Sequence, residues 1–140
     1  PALPWLTRLV RPVWPHRPKR GSDIQDPAAR ARHPGLEAMP LAAVTELVRL
    51  QRIVERALSQ VRAPILVAHG RLDRTAAPRD ALRIHGSVAS LDKMHLPLER
   101  SGHVATVDYD GPALATAAAE FIVERCRERG AGERAVGAQA

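Results

Sequence analysis

The stretch Pro64-Ile65-Leu66-Val67-Ala68-His69-Gly70-Arg71-Leu72-Asp73 constrains this chain more than any other. Ile65 to Ala68 form a short, continuously apolar run between Pro64 and Gly70. Such a run suits a strand buried on both faces of a parallel sheet. Pro64 stands at its start, where a missing N–H costs least. Gly70 predicts a tight turn, and Asp73 falls on the loop beyond the strand's carboxyl end. Open α/β sheets build their sites on that rim.

A second strand is predicted from Asp92 to Leu98, with Met94, Leu96 and Leu98 on one face and Lys93, His95 and Pro97 on the other. The alternation predicts one solvated face, and Pro97 cannot donate into a ladder, so the strand reads as an edge. Between the two strands, Thr75 and Pro78 introduce a helix that runs to Gly86, read as a left-handed C-terminal stop. This helix is the crossover that a parallel pair requires. The segment Glu99-Arg100-Ser101-Gly102-His103-Val104 then follows the second strand.

Two parallel strands bring Asp73 and His103 to one rim. An Asp–His couple does defined work in acyl transfer: the carboxylate holds the imidazole in one tautomer and stabilises the imidazolium that forms. Taken singly, Asp73 reads as a turn residue capping the next helix and His103 as a surface histidine. Their order, each beyond a strand, favours the pair. The other carboxylates compete poorly. Asp80 lies within the crossover helix, Asp92 opens a strand, and Asp108 and Asp110 follow the histidine in a turn. His16, His33, His85 and His95 lack a place on the rim, and His69, at the strand terminus, reads as structural. No Gly-x-Ser-x-Gly occurs, and Ser22, Ser59, Ser87, Ser90 and Ser101 all fail that pattern. The nucleophile elbow and its neighbouring oxyanion donors are therefore not in this sequence.

Carrying "P-hydrophobic-HGxxD" followed by "SGH", the block from Ala63 to about Arg125 resembles the C-terminal part of an α/β-hydrolase. It is closest to the carboxylesterase and monoacylglycerol-lipase-like branch, whose triad runs Ser, Asp, His along the chain. Ser22 to Arg62 resembles the end of that family's cap more weakly. The resemblance implies an α/β fold comprising the last two parallel strands with flanking helices. It divides the chain into a cap remnant (1–62) and a hydrolase core portion (63–128); the Gly/Ala-rich tail (129–140) is expected to be disordered. It implies a carboxylic-ester hydrolase acting on a small-molecule ester or monoacylglycerol-like substrate, with no cofactor and no metal. Asp73 and His103 are then catalytic and the serine lies upstream. A full hydrolase of this kind needs about 250 residues including a cap, against 140 here, and the chain opens on Pro1. The expectation is a fragment of a longer protein, inactive alone. A non-catalytic binding or interaction module on the same fold stays open, as do thioesterase, acyltransferase and C–C hydrolase chemistries.

The remaining segments are read more simply. Pro1 to Pro18 carries five prolines with Trp5 and Trp14, and predicts an irregular segment over something apolar; the tryptophans either line an acyl pocket or pack on the sheet domain. Asp26-Pro27 predicts an N-cap with Pro at the first helical position, and a short helix that stops before Pro34. His33 reads as exposed. Leu41 to Val61 predicts the clearest helix, with Leu41, Val44, Leu47, Val48, Val54, Leu58 and Val61 on the face that a cap helix would lay on its own domain. Pro112 opens the last helix, with Leu114, Ala117, Ala118, Phe121, Ile122 and Arg125 on one face and Cys126 as a small, at least half-buried filler.

The net charge of +6 is concentrated in Arg8, Arg11, Arg17, Lys19 and Arg20, before the first acid. A basic cluster can bind phosphates, but this one is interleaved with prolines and has no nucleic-acid motif, so nucleic acid is not the expected partner. The single cysteine rules out an internal disulfide and offers no metal cluster, which makes a reduced, cytoplasmic compartment the simplest reading. No apolar run approaches ~18 residues, so no transmembrane segment is expected. The sequence does not fix the oligomeric state.

Overall fold

The computed structural model describes residues 15–19 and 21–137. The readings of Trp5, Trp14, Arg8, Arg11 and Arg20 lie outside them. Strand β1 (His16–Pro18) pairs antiparallel with β2 (Ala38–Pro40). Helix α1 (Pro27–Arg32) lies between them, and α2 (Leu41–Ala57) continues into a 3-10 turn, Leu58–Gln60. Strand β3 (Ile65–Gly70), helix α3 (Pro78–Ser87) and strand β4 (Lys93–Leu98) follow, and after a 3-10 turn at Ala105–Val107, helix α4 spans Gly111–Gly137.

Strands β3 and β4 are parallel, registered from Ile65 opposite Lys93 to Gly70 opposite Leu98, so both chains leave the sheet at the same level. The register puts Ile65, Val67 and His69 on one face with Lys93, His95 and Pro97. Helix α3 covers that face: the His85 ring meets the His95 ring edge-on at 6.2 Å, and its Nε2 lies 3.4 Å from the Lys93 carbonyl. The expected solvated side is therefore not the one that carries Lys93 and His95. Lys93 and His95 are half-buried, whereas Met94 on the other face is exposed. Alternation marks two different faces without showing which one a crossover helix covers.

The buried apolar residues around this sheet are few: Val67, Ala81, Val88, Leu98 and Phe121. Ionic contacts supplement them. Arg125 on α4 donates from Nε and Nη2 to both oxygens of Asp92, each at 2.8 Å, and lies over the Phe121 ring at 3.8 Å. This two-point pairing fixes α4 against the start of β4. The guanidinium beside Asp92 holds that carboxyl below its usual range. Arg83 pairs with Glu55, linking α3 to α2.

Helix α1 begins as the sequence predicts. The Asp26 carboxylate accepts from Ala28 N at 2.8 Å, Pro27 is the first helical residue, and the helix ends at Arg32. Four expectations need correction. Gly86 is not a left-handed stop: it lies inside α3, and the helix ends at Val88 with extended backbone, whose N–H bonds the Ile84 carbonyl. His33 is not exposed: it is partly covered, with Nδ1 3.0 Å from Ser22 Oγ. Cys126 is exposed. Beyond Arg129, the backbone stays helical as far as Gly137, because each residue added to an existing helix gains a hydrogen bond at no further nucleation cost. Helix α2 forms where expected, but no residue on it is buried, and Leu47, Leu50, Ile53 and Val54 are exposed.

Two glycines carry the crossover geometry. A Cβ on Gly70 would sit 2.4 Å from the carbonyl oxygens of both Ser101 and Gly102. A Cβ on Gly102 would sit 2.7 Å from the Asp23 carbonyl oxygen. Gly86, in contrast, has open space where a Cβ would go. Gly102→Ala is therefore expected to lower stability by about 1–3 kcal/mol through overpacking, and Gly86→Ala to raise it by about 0.5–1 kcal/mol as a helix-interior replacement. Urea midpoints of the two variants check this; a destabilised Gly86→Ala would restore the left-handed stop.

Candidate active site

Beyond β3 the chain turns at once: Asp73 N donates to the Gly70 carbonyl at 3.2 Å. The Asp73 side chain then folds back on its own loop, and Oδ1 accepts from Thr75 N at 2.7 Å and Ala76 N at 2.8 Å. Beyond β4 the segment Ser101–Val104 passes over this loop. Leu72 N donates to the Ser101 carbonyl at 3.1 Å, a main-chain bond between the two loops. The remaining oxygen of Asp73, Oδ2, faces His103 Nδ1 at 2.9 Å.

The environments of the two side chains differ. The Asp73 side chain is 4% exposed and that of His103 is 46% exposed. A carboxylate can only accept, so His103 Nδ1 is the donor in this contact, and in the neutral ring Nε2 is then the acceptor. Nε2 has no partner among the described residues. Burial pushes the Asp73 carboxyl up, but the N–H groups of Ala76 and Thr75 and the His103 ring outweigh it and hold the carboxyl below its usual range. The arrangement is an anchored carboxylate orienting an accessible imidazole, which can take a proton from a hydroxyl brought to Nε2.

Sequence reasoning named Asp73 and His103, and the structure brings them together. His69 is brought in as well. Its Nε2 is 3.3 Å from the same Asp73 Oδ2, and its Nδ1 is 2.9 Å from the Gly70 carbonyl. Both neighbours are acceptors, so both contacts are satisfied together only when the ring carries two protons. The serines of the chain do not complete the constellation. Ser101 is fully buried; its hydroxyl donates to Asp110 Oδ2 at 2.8 Å and accepts from Asp110 N at 3.0 Å, away from His103. Ser22 pairs with His33.

Sequence reasoning missed Asp108, which it left in a turn. Asp108 is 4% exposed, and its carboxylate accepts four backbone N–H groups: Gln25, Asp26 and Gly102 at 2.8 Å and Tyr109 at 2.9 Å. These bonds overcome burial and hold the carboxyl below its usual range. The sequence signal was an aspartate followed by a second acid and glycine, which reads equally well as an exposed turn.

A parallel strand–loop–helix–strand unit with an acid and an imidazole on its carboxyl rim, flanked by helices, is a partial α/β-hydrolase fold. No family model matches the chain. It is 30% identical over 104 residues to a thermostable monoacylglycerol lipase of Bacillus sp. (strain H-257), an alignment covering 74% of this chain and 41% of the relative. A solved structure from work on LipS and LipT, two metagenome-derived lipolytic enzymes, superposes with a TM-score of 0.75 at 28% identity over 79% of this chain and 44% of that one. The monoacylglycerol lipase of Paleococcus ferrophilus shares the fold, with a TM-score of 0.72 at 16% identity over 89% of this chain and 52% of that one. The chain is thus related, over part of its length, to lipase- and esterase-like α/β-hydrolases, and spans about half or less of the relatives that it matches.

Asp73 and Asp108 are both held below the usual carboxylate range. Their contribution to stability is full above the unfolded value of about 4 and is lost as pH falls through the lower folded values. The urea midpoint is expected to fall steeply with pH only below about 4, and Asp108→Asn to flatten that fall; a midpoint whose acid slope is unchanged in this variant would contradict the assignment.

Proposed function

We propose that this chain carries the acid and base of a serine carboxylic-ester hydrolase of the carboxylesterase or monoacylglycerol-lipase type, and that the nucleophilic serine precedes it in a longer polypeptide. The observation that carries the reading is the 2.9 Å contact between His103 Nδ1 and a buried Asp73 oxygen, with Nε2 left open. Relationship to lipolytic enzymes supports the reaction class. In this reading residues 1–62 are the end of a cap, and the sheet unit from 63 to 128 is the closing part of the core.

The serine oxygen attacks the ester carbonyl carbon while His103 Nε2 takes its proton. The imidazolium that forms is stabilised by Asp73, whose other oxygen stays bonded to Thr75 and Ala76 N–H and so keeps the carboxylate from turning. When the tetrahedral adduct collapses, the C–O bond to the alcohol breaks, and the leaving alcohol receives the proton from Nε2. Water then attacks the acyl-serine with the same ring as base, releasing the carboxylic acid and restoring the serine. The substrate is a small-molecule ester or a monoacylglycerol-like lipid. Without the serine the 140-residue chain has no nucleophile placed at Nε2, and by itself is inactive. Among the described residues no helix is long and apolar enough to cross a membrane.

Reading the codons upstream for Gly-x-Ser-x-Gly is the first test. In the polypeptide that includes them, a fluorophosphonate probe is expected to label that serine, and His103→Ala to abolish labelling. Asp73→Asn is expected to lower kcat toward a short-chain p-nitrophenyl ester by about 10⁴-fold, since an amide favours the wrong tautomer. An upstream region without such a serine, or labelling indifferent to His103, would count for a non-catalytic module.

A further inference from the structure

We propose that Asp108 and Asp23 are positioning residues: through the segment Asp23–Asp26 they clamp the Asp73 loop and the His103 loop to one another. The proposal rests on the reading of Asp73 and His103 as a working pair and names what holds that pair in register.

His103 is half-exposed, and its ring touches no hydrogen-bonding group other than Asp73 among the described residues. Its position is therefore set by the backbone of its own loop. That backbone is held on both sides of the histidine. Gly102 N donates to Asp108 Oδ2 at 2.8 Å, and Val104 N donates to the Asp23 carbonyl at 3.3 Å. The Asp23 side chain reaches the opposite loop, where Oδ2 accepts from Arg74 N at 2.6 Å, next to Asp73. One residue thus bonds the loop of the acid with its carboxylate and the loop of the base with its carbonyl.

Asp23 is itself held. The next residue, Ile24, is fully buried. Asp108 takes the N–H groups of Gln25 and Asp26, 83 and 82 residues away in sequence, with the same carboxylate that takes Gly102. Four N–H donors on one carboxylate cannot be matched by an amide, which offers one acceptor oxygen and presents its own donors to the rest. The space beside Gly102 is filled by Asp23: a Cβ there would stand 2.7 Å from the Asp23 carbonyl oxygen and 2.9 Å from its Oδ1. The arrangement is therefore close-fitting as well as hydrogen-bonded. It makes the pairing of acid and base depend on a segment outside the sheet. A displacement of residues 23–26 moves both loops.

The test reads the pair itself rather than overall stability. In the longer polypeptide to which this chain belongs under that reading, labelled with ¹⁵N-histidine, the His103 ring is expected to show the Nδ1–H tautomer, with a slowly exchanging low-field Nδ1 proton. Asp73→Asn should abolish that proton signal. Asp108→Asn and Asp23→Ala should at least halve its intensity and mix the tautomers, while Asp23→Asn, which keeps an acceptor for Arg74 N–H, restores it. If Asp108→Asn fails to fold, the Asp23→Ala and Asp23→Asn pair decides alone. A signal that survives Asp23→Ala and Asp108→Asn at full intensity while answering to Asp73→Asn overturns the clamp and leaves the proposed function standing. A signal indifferent to Asp73→Asn overturns both.

Discussion

The structure depends on one close approach of backbone to backbone at the carboxyl end of a two-stranded parallel sheet. The Ser101–Gly102 segment crosses directly over Gly70, with their carbonyl oxygens where a side chain on Gly70 would be. Because nothing stands between them, Leu72 N–H can bond the Ser101 carbonyl and the two loops run in contact. The glycines of "HG" and "SGH" have separate physical reasons: the first admits the crossing loop, and the second admits the Asp23 backbone. Asp73 and His103 meet because the main chain under them does.

Carboxylates fix the loops where there is too little apolar core to do so. Asp73 holds its own turn, Asp108 gathers four N–H groups from three segments, Asp23 spans both loops, and Asp92 receives Arg125 from the last helix. The Gly102 N–H on Asp108 is a buried donor that would otherwise be left unsatisfied, and a buried donor without a partner is costly. The N–H and guanidinium donors around Asp73, Asp92 and Asp108 also hold those three carboxyls below their usual range.

What could be read from the sequence divides along physical lines. The β3 run, its flanking Pro64 and Gly70, the crossover and the Asp73–His103 order were legible because each is set by neighbours a few residues away, or by the parallel geometry that two strands and a helix impose. The cap of α1 was legible for the same reason. The β1–β2 pair was not: each strand is three residues long and contains proline. Nor was the role of Asp108, two of whose four partners, Gln25 and Asp26, lie more than 80 residues distant. The periodicity of α2 identified an apolar face, but not what packs on it; Leu47, Leu50, Ile53 and Val54 are exposed. Gly86 shows the limit of single-residue rules, since a glycine near a helix end can simply be helical.

The interaction between Asp73 and His103 can be measured by a double-mutant cycle. Unfolding free energies of the chain, Asp73→Asn, His103→Gln and the double variant, taken at neutral pH, give the coupling between the two side chains. A favourable coupling of at least about 0.5 kcal/mol is expected, as found for residues in contact. Effects that simply add, as they do for side chains that do not touch, would contradict it.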